Sequence, residues 1–159
     1  MKNQSETLLD KAVQNLNCAK TIYDSKLIED EAYLNYVGYH LQQAVELSIK
    51  YLLEMNGVEY GWTHDIEQLI LLSKERDIDL CIPKYIDDRA EMFSSWESKT
   101  RYIKNYKLEK RKVSAALVEV EKYINILLGN GEILDEEEND EADSLKKTLQ
   151  SVWEKPRPK

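Results

Sequence analysis

Apolar residues recur every three or four positions along most of the chain, which is the spacing that lines one face of an α-helix. Short polar segments rich in Gly, Asn or Asp separate the stretches that follow this pattern. The helices that the pattern predicts cover residues 7–26, 31–57, 63–76, 83–93 and 107–128. The sequence therefore predicts an all-α fold, an antiparallel up-down bundle of four main helices with a short extra helix before the last one.

One internal stretch, residues 94–106, shows no clean period. Aromatic and basic residues alternate irregularly there, and an irregular pattern of this kind is typical of a loop. We therefore predict that residues 94–106 form a loop that leads into the last helix.

The second predicted helix combines a broad apolar face, running from Leu34 to Met55, with a row of more polar side chains. The row follows the helical spacing and consists of Tyr36, His40, Gln43, Leu47 and Lys50. Polar groups on a largely buried helix need partners, water or a ligand, because an unpaired buried polar group is costly. The row is thus the first candidate for a binding site.

Composition and charge narrow the classes of function. Of the 159 residues, 42% are hydrophobic and 33% are charged, which is typical of a globular protein, and the net charge is −8. A net acidic chain has no broad attraction for nucleic acid, although residues 99–112 hold seven lysines and arginines. Residues 132–159 contain nine acidic and five basic side chains. We expect a helical domain over residues 1–131 and an acidic, flexible tail over residues 132–159, with a short helix at residues 144–153.

A sharper hypothesis for the tail is that its acidic run mimics nucleic acid and covers the basic residues 99–112. The simpler alternative is that the run is only a solvated linker.

The sequence also predicts what the protein lacks. Cys18 and Cys81 form no redox or metal motif, and two histidines without companions at ligand spacing do not make a metal site. We expect no metal and no cofactor. The N-terminus has no signal-peptide pattern, and no apolar run approaches the ~20 residues that span a membrane. We therefore expect a cytoplasmic protein with no membrane partner.

Three separated motifs resemble the HEPN domain family. They are YHLQQAVELSIKYLL at residues 39–53, THDI at residues 63–66, and the pair Arg101-Tyr102. The resemblance covers roughly residues 8–128. It implies an all-α bundle of four main helices, often a homodimer, and often a small nucleotidyltransferase partner encoded beside it. Some such pairs are toxin–antitoxin systems.

The ribonuclease branch of that family carries an Arg followed after four to six residues by a His, and two copies of the motif meet across a dimer. In this chain the Arg is Arg101, and Tyr106 stands where the His is expected. An unperturbed tyrosine has a pKa of about 10, which makes it a poor general base near neutral pH. This departure favours the non-nucleolytic or nucleotide-binding branches of the family.

Each candidate residue has a functional and a structural interpretation. The polar row is either a pocket for a phosphate or base, or a hydrogen-bonded row packed against the Arg101 loop or a dimer mate. His64 either binds an anion at the N-terminus of the third helix, or belongs to a capping arrangement in which Thr63 and Asp65 satisfy free amides. Arg101 either binds a phosphate through its guanidinium group or forms an ion pair with an acid such as Glu46. The candidate ligand-binding residues are His40, Gln43, Lys50, His64, Arg101, Tyr102 and Lys104.

Three functions follow from these candidates. The first is a binding or interaction module for a nucleotide, RNA or a nucleotidyltransferase partner. The second is a metal-independent ribonuclease of toxin type, with Arg101 and Tyr106 as catalytic residues or with His40 or His64 brought in by the fold. The third is a non-catalytic structural assembly protein.

Overall fold

The computed structural model describes residues 5–129, and this part of the chain is helical with no β-strand. Its α-helices are α1 (Leu8–Tyr23), α2 (Leu34–Met55), α3 (Ile66–Glu75), α4 (Lys84–Asp88), α5 (Ala90–Tyr102) and α6 (Lys110–Leu127). Two short 3-10 turns, Lys26–Glu29 and Glu31–Tyr33, connect α1 to α2. The all-α prediction is confirmed, whereas the up-down order of four main helices stays a prediction.

The acidic tail and its expected short helix at residues 144–153 lie outside the described residues, so the division of the chain near residue 131 also stays a prediction. Within residues 5–129, none of the helices combines the length and apolar character that a membrane span requires.

The central element of the fold is α2, which packs against α1, α3, α5 and α6. Its apolar residues recur at helical spacing on a wide arc, so the helix can bury contacts on several sides. Together with side chains from its neighbours they form one core, whose largest fully buried members include Leu16, Leu34, Leu41, Ile49, Leu53, Ile66, Leu69, Phe93, Trp96 and Tyr123. The predicted stripe is wrong at its end, because Met55 lies on the last turn and is 67% exposed.

Local capping sets where the helices begin and end. Thr7 and Asp10 form a reciprocal capping box at the start of α1. The predicted cap of the third helix is two residues too early: the side chain of Asp65, not that of Thr63, accepts hydrogen bonds from the free amides of Glu67 and Gln68. The Thr63 hydroxyl instead accepts a hydrogen bond from the Asp65 amide.

The prediction of a loop over residues 94–106 is wrong for residues 94–102, where α5 continues to Tyr102, and is confirmed for residues 103–106, which lie in the connection to α6. The helix buries only Ala90, Phe93 and Trp96, so its apolar stripe is too narrow to dominate the sequence pattern. The predicted short helix after Pro83 is also divided. Arg89, with φ −116° and ψ 26°, leaves the helical conformation and separates α4 from α5.

Gly38 allows α2 to approach α5 and the start of α6 closely. A β-carbon at this position would lie 2.2 Å from Leu108 Cδ1 and 3.2 Å from Trp96 Cε3. No side chain larger than hydrogen fits there without a shift of these neighbours. The missing side chain therefore leaves room for Leu108, in the connection before α6, and for the ring of Trp96 on α5.

Candidate functional site

A cleft of about 280 Å³ opens between α2 and the last turn of α5. Both helices contribute polar and aromatic side chains to its wall. They are Asn35, Tyr36, Tyr39, His40, Thr100 and Arg101. The cleft brings together Arg101 and His40, two of the residues that the sequence singled out, although they are 61 positions apart.

Arg101 lies on the last turn of α5 with its guanidinium partly exposed. Its Nη2 donates to the Glu97 carboxylate, and its Nε donates to the Glu97 carbonyl oxygen at 3.0 Å. The guanidinium carbon also lies 5.4 Å from the ring centre of Tyr39 and 4.9 Å from that of Tyr102. Arg101 thus pairs with an acid, as the structural interpretation expects, but the acid is Glu97 and not Glu46.

His40 is half-buried between α2 and α1. Its Nδ1 lies 2.7 Å from Asn15 Oδ1, and its ring meets that of Tyr39 edge-on at 5.5 Å between centres. Burial lowers the pKa of His40, because desolvation disfavours the charged imidazolium. The imidazole is therefore neutral at pH 7.

A second polar cluster surrounds Glu46, which is buried on α2. Its Oε1 accepts a hydrogen bond from Gln42 at 2.7 Å, and its Oε2 lies 2.8 Å from Lys50 Nζ and 2.9 Å from His64 Nδ1. Lys50 Nζ also lies 5.2 Å from the ring centre of Tyr60. The cluster ties the segment before α3 to the central helix.

The pKa of Glu46 shows which effects dominate in this cluster. Burial alone acts to raise the pKa, and the hydrogen bonds from Lys50, His64 and Gln42 together outweigh it. The net effect lowers the pKa of Glu46 below its usual range. Glu46 is consequently a carboxylate at neutral pH, and the Lys50 ammonium is its ion-pair partner.

The polar row of the second helix thus divides between two places. Its first members, Tyr36 and His40, line the cleft, whereas Lys50 belongs to the Glu46 cluster. Gln43 lies between them and donates a hydrogen bond to the side chain of Gln42 at 2.8 Å. His64, expected near Arg101, instead joins Lys50 at Glu46.

The remaining candidates follow the end of α5. Tyr102 is 70% exposed, and Lys104 is exposed in the connection to α6. Tyr106 is half-buried, and burial raises its pKa, so at neutral pH even less of it is in the phenolate form that a general base requires than for a free tyrosine. Its carbonyl oxygen accepts a hydrogen bond from Asn35 Nδ2 at 2.5 Å, and Asn35 Oδ1 accepts from the Leu108 amide at 3.1 Å.

Sequence reasoning missed three residues that line the cleft, Asn35, Tyr39 and Thr100, and a fourth, Asn15, that contacts His40. Asn35 and Tyr39 lie on the same face of α2 as Tyr36 and His40, so helical spacing could have identified them. Asn15 lies on α1, and no sequence pattern connects it with His40. Among the described residues, no three His, Cys, Asp or Glu side chains come close enough together to hold a metal ion.

Comparison with curated proteins and with solved structures gave no significant match. A family model of the HEPN domain, in contrast, matches residues 5–134, which is most of the chain. This match includes all six helices and both polar clusters. The chain therefore belongs to the HEPN domain family.

Proposed function

We propose that the protein is a HEPN-type binding module that holds a nucleotide or the end of an RNA strand in the cleft between α2 and α5. The observation that carries this proposal is the position of Arg101, at the edge of the cleft and beside two tyrosine rings. A cation next to aromatic faces suits a ligand that has both a phosphate and a base.

The phosphate would bind at Arg101. Its contacts with Glu97 engage only part of the guanidinium donors, and the side chain remains 41% exposed. Those remaining N–H groups can form the charge-assisted hydrogen bonds that Arg makes with phosphate oxygens. Lys104 is exposed beyond the end of the same helix and adds positive charge nearby in the chain.

The base would stack on an exposed tyrosine. Tyr36 is 56% exposed at the cleft and Tyr102 is 70% exposed beside Arg101. Stacking on an aromatic side chain contributes about 1–3 kcal/mol per base and tolerates any base, because every base has a π-face. The proposed module would therefore bind nucleotides with little preference among bases.

A second candidate function, a ribonuclease of toxin type, is favoured by one specific observation. His40, a neutral imidazole, lines the same cleft as Arg101 and could take the role of the absent motif histidine. Tyr106 supports it poorly, since its pKa is raised. Cleavage of RNA by the purified protein, lost in Arg101→Ala and His40→Ala, would favour this candidate over binding alone.

A homodimer, a minimal nucleotidyltransferase partner, a toxin–antitoxin context and a cytoplasmic location are further parts of the proposal, based on the family. Expression with the genomic neighbours, followed by identification of the proteins that co-purify, tests the partner. If neither nucleotide, RNA nor nucleotidyltransferase associates with the protein, a structural assembly role replaces the proposal.

The direct test measures binding of nucleoside monophosphates and short RNAs to wild type and Arg101→Ala. Loss of a charge-assisted contact of about 1.5–3 kcal/mol predicts a roughly ten- to hundredfold weaker complex. Arg111→Ala is the matched control, since this exposed arginine carries the same charge and pairs with Glu109 away from the cleft lining. Absence of binding in wild type, or equal losses in both variants, would refute the assignment of the cleft.

A further inference from the structure

We propose that His40 is the hydrogen-bond acceptor of the cleft, held in one tautomer by Asn15, and that the ligand must present a hydroxyl group beside its phosphate. This inference rests on the proposed function and specifies the chemistry of its ligand. A ribonucleotide meets the requirement, because its ribose carries a 2′-hydroxyl that the deoxyribonucleotide lacks.

The orientation of the Asn15 amide fixes the tautomer. Asn15 Nδ2 lies 3.0 Å from the carbonyl oxygen of Lys11, one turn earlier on α1. A carbonyl oxygen only accepts hydrogen bonds, so the NH₂ group must face it and Oδ1 must face His40. Oδ1 is likewise only an acceptor, and at 2.7 Å it requires a proton on His40 Nδ1.

The second ring nitrogen then carries a free lone pair. A neutral imidazole protonated at Nδ1 has an unprotonated Nε2, which accepts hydrogen bonds and cannot donate them. Nε2 has no hydrogen-bond partner among the residues that the structure describes, and His40 lines the cleft as well as a neighbouring cavity beside α1. The lowered pKa of His40 further favours this neutral form.

The acceptor and the cation are close enough for one small ligand. The His40 ring centre lies 5.5 Å from that of Tyr39, which lies 5.4 Å from the guanidinium carbon of Arg101. A cleft of about 280 Å³ is at the lower end of small-molecule sites, which suits a single nucleotide unit. Phosphate at Arg101 and a neighbouring hydroxyl at His40 would use both groups at once.

The experiment compares adenosine 3′-monophosphate with its 2′-deoxy analogue, and reads the His40 tautomer by nitrogen-15 NMR. Wild type should bind the ribonucleotide about three- to tenfold more tightly, the effect of one neutral hydrogen bond. Its His40 proton should lie on Nδ1. His40→Ala removes the acceptor and should bring the affinity ratio close to one, whereas Asn15→Ala should allow the proton to move to Nε2.

Two further variants distinguish the loss of the contact that positions His40 from a general loss of folding. Asn15→Asp keeps an oxygen acceptor opposite Nδ1, so the proton on Nδ1 should stay, and its negative charge should raise the pKa of His40 in the same NMR measurement. Gln14→Ala, at an exposed neighbouring position on α1, should change neither. The wild-type tautomer does not depend on any variant, so it tests the inference even if Asn15→Ala fails to fold.

The outcomes distinguish the inference from the function on which it rests. Equal affinity for both nucleotides, or a His40 proton on Nε2 in wild type, overturns the inference and leaves the binding function intact. If neither nucleotide binds, the proposed function fails and the inference fails with it.

Discussion

Replacing Glu46 by Gln removes the one negative charge of a buried cluster. The Glu46 side chain is 3% exposed, and three neighbouring side chains direct nitrogen donors at its two oxygens. In Glu46→Gln one oxygen becomes an NH₂ group, so a donor faces other donors. Lys50, whose side chain is only 11% exposed, then has no charge partner in the cluster.

The expected cost follows from this burial. Breaking a buried ion pair by removing one partner costs about 3–5 kcal/mol, because the other charge stays desolvated. The Lys50 ammonium retains slight exposure and lies near the ring of Tyr60, so it can partly reach water and the aromatic face. We therefore expect a loss near the lower limit, about 3 kcal/mol of unfolding free energy.

Urea unfolding at pH 7, followed by circular dichroism, measures this loss as a lower midpoint at an unchanged slope. The matched control is Glu109→Gln, which breaks an exposed pair with Arg111 at 3.4 Å and should cost less than about 1 kcal/mol. Adding Lys50→Met to Glu46→Gln removes the unpaired cation. The double variant should therefore be more stable than Glu46→Gln alone by about 1 kcal/mol or more.

The pH dependence gives an independent check. Because the folded-state pKa of Glu46 is lowered, its stabilising contribution is fully present above the ordinary value of 4.5 and is lost as pH falls through the folded-state pKa. The stability difference between wild type and Glu46→Gln should accordingly narrow below pH 4.5. A loss no larger than that of the control, or a difference that does not change with pH, would refute the reasoning.

Three further outcomes can be measured in the same way. Asn35→Ala leaves the carbonyl oxygen of Tyr106 without its hydrogen bond, so it should lower the unfolding free energy in urea by about 1–3 kcal/mol and weaken nucleotide binding at the cleft. Unchanged stability would contradict the role of Asn35 in holding the connection to α6. Tyr123→Phe leaves the Leu80 carbonyl without the buried hydroxyl that now donates to it at 2.9 Å, and should cost a similar amount by the same assay. Deletion of residues 132–159 should strengthen nucleotide binding at low salt if the acidic run covers the basic stretch, and an unchanged affinity would eliminate that hypothesis.

The helices that could be predicted are those with wide apolar faces. Residues 31–57 contain α2 with its Gly57 stop, where a φ of 71° requires the left-handed conformation that glycine adopts readily. The last helix was also correctly predicted, because Val113, Val120 and Ile124 repeat at helical spacing. Helix propensity and the spacing of apolar residues were sufficient to predict both helices.

The helix that could not be predicted has a different physical character. Ser, Thr, Lys and Glu occupy seven of the 13 positions of α5, and Trp96 buries a large area through a single residue. The hydroxyls of Ser95 and Thr100 donate hydrogen bonds to carbonyl oxygens of the preceding turn. Such side chains form local hydrogen bonds of this type in loops as well, so they do not favour a helix. Only packing of Trp96 and Phe93 against the core decides the conformation.

The residues of the site were predictable, but their partners were not. Arg101 and His40 followed from a motif and from helical spacing. Their actual contacts with Glu97 and Asn15 depend on rotamers and on how α1, α2 and α5 pack, which a single sequence does not contain. For this reason the row of polar side chains was interpreted as one site, although its members belong to two places, the cleft and the Glu46 cluster.

The absence of a side chain at Gly38 leaves a sensitive position of the core directly behind the cleft. Gly38 is buried and lies two positions from both Tyr36 and His40, which line the cleft. A methyl group there would meet Leu108 Cδ1 first, at 2.2 Å, and the ring of Trp96 next, at 3.2 Å. Because Leu108 belongs to the connection between α5 and α6, Gly38→Ala would act on that connection without altering any residue that lines the cleft.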